Sequence, residues 1–491
     1  VSSSLQFGIF CQLDREVAAT LAAEHPSAGS CLYRRQFTAR TLARKDASHA
    51  MSDRSDLKST FNRAINGRAE ELERIARDIL DHPESGFREV RTAKLVADWF
   101  SENGLVLQTG VAKTGVVGTY DTGRPGPHIA VMGELDSLIV PGHYHADPDS
   151  GAAHACGHHA QIGAMLTVAT GLLDESVKKG LSGRVSFMAT PAEEYIELEY
   201  RESLRENGEL EFFGGKQEFI RLGHFDDVDI AMLTHTGSET GGTFGVGGSN
   251  NGMIGKTVQY IGKAAHAGGS PHLGVNALNA AQIGLAAIHA QRETFRDADT
   301  VRVHPIITRG GDAVNSVPAD VRIETYVRAS NVPAILGASE KIDRALTAGA
   351  LATGATVRIQ TAPGYLPARY DRRLVDLYRH NAASLIGDDN IIELHHGTGC
   401  TDVGDVSQIV STIQPTANAT SGNGHGVDYL VEDYELAVIK AGKAMGLTVI
   451  DLLVESGAKG AQIADSFNAP MTVTEYITRM RGFRSDTTFE D

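Results

Sequence analysis

Short apolar runs closed by glycine or polar residues, alternating with longer stretches of helical spacing, constrain this chain most. The runs at 128–135, 184–190 and 229–234 have the length of buried strands. Helical spacing surrounds them, at 57–80, at 91–102 and in the segment after Ala160. His82-Pro83-Glu84 closes the first of these helices, because proline disfavours the α region in the residue before it. This alternation predicts a mixed or parallel sheet covered by helices.

Between residues 236 and 252 the chain is rich in glycine (TGSETGGTFGVGGSNNG), and a different rhythm follows. A strand at 258–262, a helix at 275–291, strands at 301–308 and 321–327, and a helix at 332–351 describe a small α+β unit of about 110 residues, a normal domain size. It ends near Pro363, and 369–445 returns to helix, loop and strand patterns. The expected fold class is therefore α/β: a catalytic domain with a mixed, largely parallel sheet flanked by helices, interrupted by a smaller α+β lid. The expected division is an extension over 1–50 with the native start near Met51, catalytic parts at 51–252 and 366–491, and the insert at 253–365.

Composition removes several function classes. With 42% hydrophobic residues the 491-residue chain is not largely disordered. Its 45 Lys+Arg against 61 Asp+Glu give a formal charge of -16, and no local basic patch interrupts that sign. Such a surface repels phosphate backbones and anionic lipid, so neither nucleic acid nor membrane is expected as a partner. No run of about 18 apolar residues offers a spanning helix. Cys11, Cys31, Cys156 and Cys400 are too few and scattered for a disulfide framework, which points to a reducing, cytoplasmic compartment.

The densest chemistry lies in His154-Ala155-Cys156-Gly157-His158-His159. Thiolate and imidazole suit borderline-soft divalent ions, and Gly157 lets two donors converge without a side chain between them. Glu193 and Glu194 follow the apolar run 185–188, where two adjacent acids can divide labour between a metal and a proton. His235 follows the run 229–233, and His425 stands between glycines in 422–426. Each histidine alone would more often be a structural or surface residue. Their shared position is informative: the Cys156 loop, Glu193, Glu194 and His235 all fall just past strand ends, where open α/β sheets build their sites. Cys156, His158, Glu194, His235 and His425 exceed what one tetrahedral ion needs, and suit two ions sharing a bridging ligand. Glu193 is left as the proton carrier. Cys400, with no base partner evident, reads as a small packed thiol rather than a nucleophile.

The ordered series HPESGFRE (82–89), GELDSL (133–138), HACGHHA (154–160), PAEEY (191–195), HTG (235–237), GKAAHAGGSPHLGVNALNA (262–280), GGDAVNSVPADVRIETYVR (310–328), TDVGDVS (401–407) and GHG (424–426) resembles the co-catalytic metal hydrolases of the aminoacylase and glutamate carboxypeptidase family. It is most similar to the branch of bacterial p-aminobenzoyl-glutamate hydrolases and plant auxin-conjugate amidohydrolases. The resemblance implies Cys156 as the bridging ligand, with His158 and His235 on one ion and Glu194 and His425 on the other. It implies Glu193 as general base, and His266 as an oxyanion-stabilising residue leaning into a neighbouring protomer. Asn315 and Arg328 would hold a substrate carboxylate or carbonyl. The segment before residue 253 would hinge a lid that also makes a dimer contact, in a homodimer or higher homo-oligomer.

Two departures from the family pattern stand out. His159 occupies a position where the family often has Asp or Asn. Glu134-Leu135-Asp136 replaces a His-x-Asp motif, so Asp136 is expected to orient a ligand from behind rather than to bind. The insertion at 141–150 is expected to shape substrate access. The implied activity is hydrolysis of the amide bond of a small N-acyl amino acid or aminobenzoyl-glutamate-like substrate, with two divalent ions supplying Lewis acidity. The donor set accepts Zn²⁺, Mn²⁺ or Co²⁺. Alternatives are a dipeptidase of the same family and a catalytically silent metal-binding scaffold, although Glu193, the base a silent relative would lack, is present.

Overall fold

A computed structural model of the chain describes residues 54–239 and 241–490. The chain divides into two compact units, Val1–Ser59 and Thr60–Asp491. Of the first, residues 54–59 are described, and they are helical. The extension expected over 1–50 lies outside the described residues. Among the described residues no helix is long and apolar enough to cross a membrane.

The second unit is built on a six-stranded sheet in the order Val106–Val111, Gly115–Asp121, Arg184–Thr190, His128–Glu134, Ile230–Met232, Ser411–Ile413. The last four run parallel, and the first two form an antiparallel edge. His128–Glu134 is buried throughout, as a strand covered on both faces must be. The helix His158–Leu172 is also buried on every side. Its composition explains this, since a helix apolar all round has no solvent face to offer. It packs between the central strand and the helices Ala69–Leu80 and Ala441–Leu453. The single helix expected over 57–80 is two: residues 54–66 and Ala69–Leu80 are separated by a turn at Gly67-Arg68. Glycine costs about 1 kcal/mol in a helix interior, and the break falls there.

A second sheet runs through the glycine-rich segment. Thr243–Asn250 is a strand, flanked by Thr416–Asn418 and Ala368–Arg369 and paired in parallel with Ile391–Gly397. His235–Gly237 joins the same sheet beside Thr416–Asn418. Glycines supply the local freedom, with Gly247 and Gly248 at φ +78° and +74°. Asn251 then leads directly into Gly252–Ile261.

That strand opens a third sheet, in the order Arg302–Val303, Asp320–Ala329, Gly252–Ile261, Thr356–Pro363, Ser485–Phe489. The strand expected over 301–308 is two short pieces, Arg302–Val303 and Ile306–Arg309, both paired with Asp320–Ala329. Ser485–Phe489, which the division at 365 assigns to the second catalytic part, hydrogen-bonds to Thr356–Pro363 in this sheet. Asp320–Ala329 alternates buried and half-buried residues, and the helices Ala277–Ala290 and Val332–Thr353 close over its buried face.

Phe61 shows how closely the helices around the central strand pack. Its ring fills the space that a Cβ would need at both Gly171 and Gly446; the added carbon would lie 2.3 Å and 2.0 Å from ring atoms. Gly446→Ala is therefore expected to destabilise the protein by about 1–3 kcal/mol through overpacking, despite the better helix propensity of alanine. A lowered denaturant midpoint checks this, and an additional Phe61→Leu exchange should recover part of the loss.

Candidate metal centre and its cavity

The site forms at the carboxyl edge of the parallel strands. Cys156 and His158 sit on either side of Gly157, which caps the buried helix His158–Leu172 at φ +84°. Only glycine is comfortable there: a Cβ would fall 2.1 Å from Thr236 Oγ1. The Thr236 hydroxyl donates to the Cys156 carbonyl at 3.1 Å and lies 2.6 Å from the Tyr429 hydroxyl, so three segments pin the loop. His235, one residue earlier, brings Nε2 to 3.5 Å from Cys156 Sγ, while its Nδ1 donates to the Thr236 carbonyl at 2.7 Å. His425 is itself left-handed, at φ +66°, and its N–H donates to the Ala155 carbonyl at 2.9 Å. Its Nε2 lies 3.5 Å from Glu194 Oε1.

Glu193 and Glu194 are aimed by another unusual residue. Ala192 takes φ +53°, and its N–H donates to the buried Glu89 carboxylate at 2.8 Å. Burial, then the nearby Asp136 carboxylate, push Glu89 up to about 7. The Glu194 N–H donates to Asp136 Oδ2 at 2.9 Å, Arg201 donates to the Glu194 carbonyl, and Tyr365 donates to the Glu193 carbonyl. With the backbone held from these directions, both carboxylates are free to face the cavity.

Two donor groups result, Cys156 with His158 and His235, and Cys156 with Glu194 and His425; within each the candidate ligand atoms lie within 4.8 Å of one another. A third group of the same compactness, Glu134 with His158 and Glu193, adjoins them. Asp136 stands behind: its carbonyl accepts from His158 Nδ1 at 2.9 Å, which turns Nε2 toward the donors. Buried His158 Nε2, Glu134 Oε2 and Glu194 Oε1 make no hydrogen bond. Buried polar atoms are otherwise nearly always partnered, so soft and hard donors left open together fit a divalent ion.

Electrostatics agree with that fit. Burial, then the Glu134, Glu194 and Asp402 carboxylates, hold the Glu193 carboxyl well above the usual range. Burial also acts to raise Glu134, but Lys216, His158 and His235 outweigh it and bring that carboxyl down to about 2. The Cys156 thiol is raised by burial and then by Glu194. Cys400 lines the same cavity, and burial pushes its thiol up to about 12, which leaves it a poor nucleophile.

The cavity has a volume of about 640 Å³ and is lined by Cys156, Glu193, Glu194, His235, His425 and, from the third sheet, Arg328. Arg328 reaches it because its strand pairs Arg328 with Met253 at the start of Gly252–Ile261. Its guanidinium lies 5.2 Å from the Tyr326 ring centroid. His266 and Asn315 are not brought to this cavity. Both are exposed on neighbouring loops of the third-sheet region, where the Ala267 N–H donates to the Asn315 carbonyl at 2.9 Å. His159 turns away from the donors to Tyr434, 3.0 Å from its hydroxyl. In the 141–150 insertion, His143 Nε2 donates to the Tyr429 carbonyl at 2.7 Å, so the segment braces the chain that follows His425.

Sequence reasoning missed the buried supports: Glu89, Arg201, Lys216 and Asp402. Glu89 and Asp402 lie inside the motifs HPESGFRE and TDVGDVS, but nothing in those motifs marks them as buried. Lys216 and Arg201 look like ordinary helix-surface cations.

Comparison with known proteins adds to the geometry. The profile of peptidase family M20/M25/M40 matches residues 130–451, more than half of the chain. The chain belongs to this family. Over 419 residues it is 27% identical to a Xaa-Arg dipeptidase of Mus musculus, covering 81% of this chain and 89% of that protein. It is 28% identical over 323 residues to a p-aminobenzoyl-glutamate hydrolase of Escherichia coli, covering 55% of this chain and 69% of that protein. Its fold matches that of a dinuclear metal-binding peptidase of the M20 family from Bacillus subtilis, with a TM-score of 0.57, 20% identity, and coverage of 79% of this chain and 99% of the other. This M20 family chain is a metal-dependent hydrolase of amide or peptide bonds acting on small molecules.

Because Gly157 fixes the spacing of two donors, Gly157→Ala should move both. Amide hydrolysis is expected to fall at least about tenfold, since displacements near 1 Å can cost about a hundredfold. Steady-state assay beside metal analysis of the purified variant checks this.

Proposed function

We propose that this chain hydrolyses the amide bond of an N-acyl amino acid or aminobenzoyl-glutamate-like substrate at a two-ion centre. The observation that carries the reading is the pair of donor groups sharing Cys156. Cys156 would bridge, with His158 and His235 on one ion and Glu194 and His425 on the other. Zn²⁺ and Mn²⁺ are the ions we favour, with Co²⁺ also suited to these ligands. Bound ions would supply Lewis acidity to the reacting carbonyl.

The chain's own residues do the rest. Glu193, buried and close to His158, accepts a proton as water adds to the substrate carbonyl, and delivers it to the amine nitrogen as the C–N bond breaks. Arg328, on the wall of the cavity, offers a planar cation to a substrate carboxylate. The naming of relatives after glutamate and amino acid conjugates supports an anionic substrate end. The two free cysteines among the described residues, Cys156 and Cys400, agree with a reducing cytoplasm.

We further infer a homodimer or higher homo-oligomer. Ile306–Arg309 is exposed along its whole length at the margin of the third sheet, and Val314 nearby is fully exposed. An open apolar edge of this kind favours pairing with another strand. The exposed His266 and Asn315 would then serve the cavity of a second copy, His266 as a donor to the developing oxyanion.

Glu193→Gln should lower turnover by about two to four orders of magnitude while metal content stays near two ions per chain. Unchanged turnover would remove Glu193 from its role. Cys156→Ala should instead lower the metal content itself, read by elemental analysis. Matched N-acylated amino acids and free dipeptides, assayed by mass spectrometry of released amines, separate this reading from a dipeptidase. Ile307→Lys should shift the sedimentation coefficient toward a monomer and reduce activity with it.

A further inference from the structure

Lys216 has no exposed side-chain surface, and its ammonium lies 2.6 Å from Glu134 Oε1 and 2.5 Å from Asp402 Oδ1. The Lys216 N–H donates to Asp402 Oδ2 at 2.9 Å, so Asp402 grips both the backbone and the tip of this residue. Neither carboxylate is exposed. An ion pair that served packing alone would leave its acid fully partnered, because an open carboxylate oxygen in the interior is costly. Glu134 is only half partnered. Oε1 takes the lysine, whereas buried Oε2 makes no hydrogen bond and lies 3.1 Å from His158 Nε2.

His158 donates its Nδ1 proton to the Asp136 carbonyl, so Nε2 is the nitrogen turned toward that oxygen. Atoms held at this separation need a positive charge between them, supplied by a proton on the ring or by a metal ion. Glu193 closes the same group from another side, with Oε2 3.8 Å from His158 Nε2. The free oxygen of Glu134 thus faces the cation-binding cluster, and its direction is set by what holds the other oxygen.

We propose that Lys216 is a positioning residue: anchored by Asp402, it fixes Glu134 through Oε1 so that Oε2 contributes negative charge to the ion site at His158. This rests on the two-ion reading above. A lysine that only filled the space between elements would act independently of Glu134.

A double-mutant cycle tests it. Zn²⁺ is titrated calorimetrically into the full-length metal-free protein carrying Lys216→Met, Glu134→Gln, or both. Each single exchange is expected to weaken Zn²⁺ binding about 10- to 100-fold, the range for residues that orient a metal site from behind. In the Glu134→Gln background, Lys216→Met should add less than about twofold, because its route to the ions is gone. Equal weakening in both backgrounds, or no weakening by Lys216→Met, overturns the proposal. If Lys216→Met does not fold, Glu134→Gln decides, since it keeps the shape and removes only the charge: unchanged affinity overturns the proposal and a 10-fold loss supports it. A wild-type protein that takes up no Zn²⁺ overturns the two-ion reading itself, and this inference with it.

Discussion

At the carboxyl edge of the parallel strands, Glu134, Asp136, Glu193 and Glu194 are all buried within one small region. A carboxylate taken out of water is unstable unless positive charge or donors compensate it. The protein supplies some of that compensation. Lys216 serves Glu134, the Glu194 N–H serves Asp136, and Arg201 is committed to backbone carbonyls. Glu134 Oε2, Glu194 Oε1 and His158 Nε2 remain without hydrogen bonds, each of these residues within one of the compact donor groups. The remaining demand for positive charge is what a divalent ion would meet, and the same crowding of carboxylates holds the Glu193 carboxyl well above the usual range.

Backbone geometry makes the crowding achievable. Four parallel strands end at one edge, and the residues just beyond them are turned inward by left-handed positions at Gly157, Ala192 and His425. Two of those are not glycine, and such conformations persist when neighbours hold them. Glu89 and Arg201 hold Ala192, and the Ala155 carbonyl holds His425. The strained turns and the buried supports therefore form one device: the supports fix the backbone so that the reactive side chains need no contacts of their own.

The third sheet completes the cavity rather than the ion site. Through the register of Gly252–Ile261 with Asp320–Ala329 it delivers Arg328 and Tyr326 to the wall opposite the donors. Tyr326 donates to the Tyr195 carbonyl, directly beside the Glu193-Glu194 pair, so the third sheet and the acid-bearing loop share a contact.

Much of this is legible in sequence. The apolar runs name the central strands almost to the residue, because a strand buried on both faces must be apolar throughout. The grouping of Cys156, His158, Glu194, His235 and His425 around one cavity is legible because Cys, His and Glu beside glycine at strand ends form a chemical pattern. The glycine-rich segment hides its strand: glycine weakens the alternation that marks one, and only pairing with Ile391–Gly397 and Thr416–Asn418 reveals Thr243–Asn250. What sequence alone determined was the inventory, meaning which groups could bind, bridge or carry a proton. Tertiary structure decided the environment. Lys216 and Asp402 are 186 residues apart, and burial, which turns an ordinary surface lysine into a fixed counter-charge, is a property of packing that no local pattern encodes.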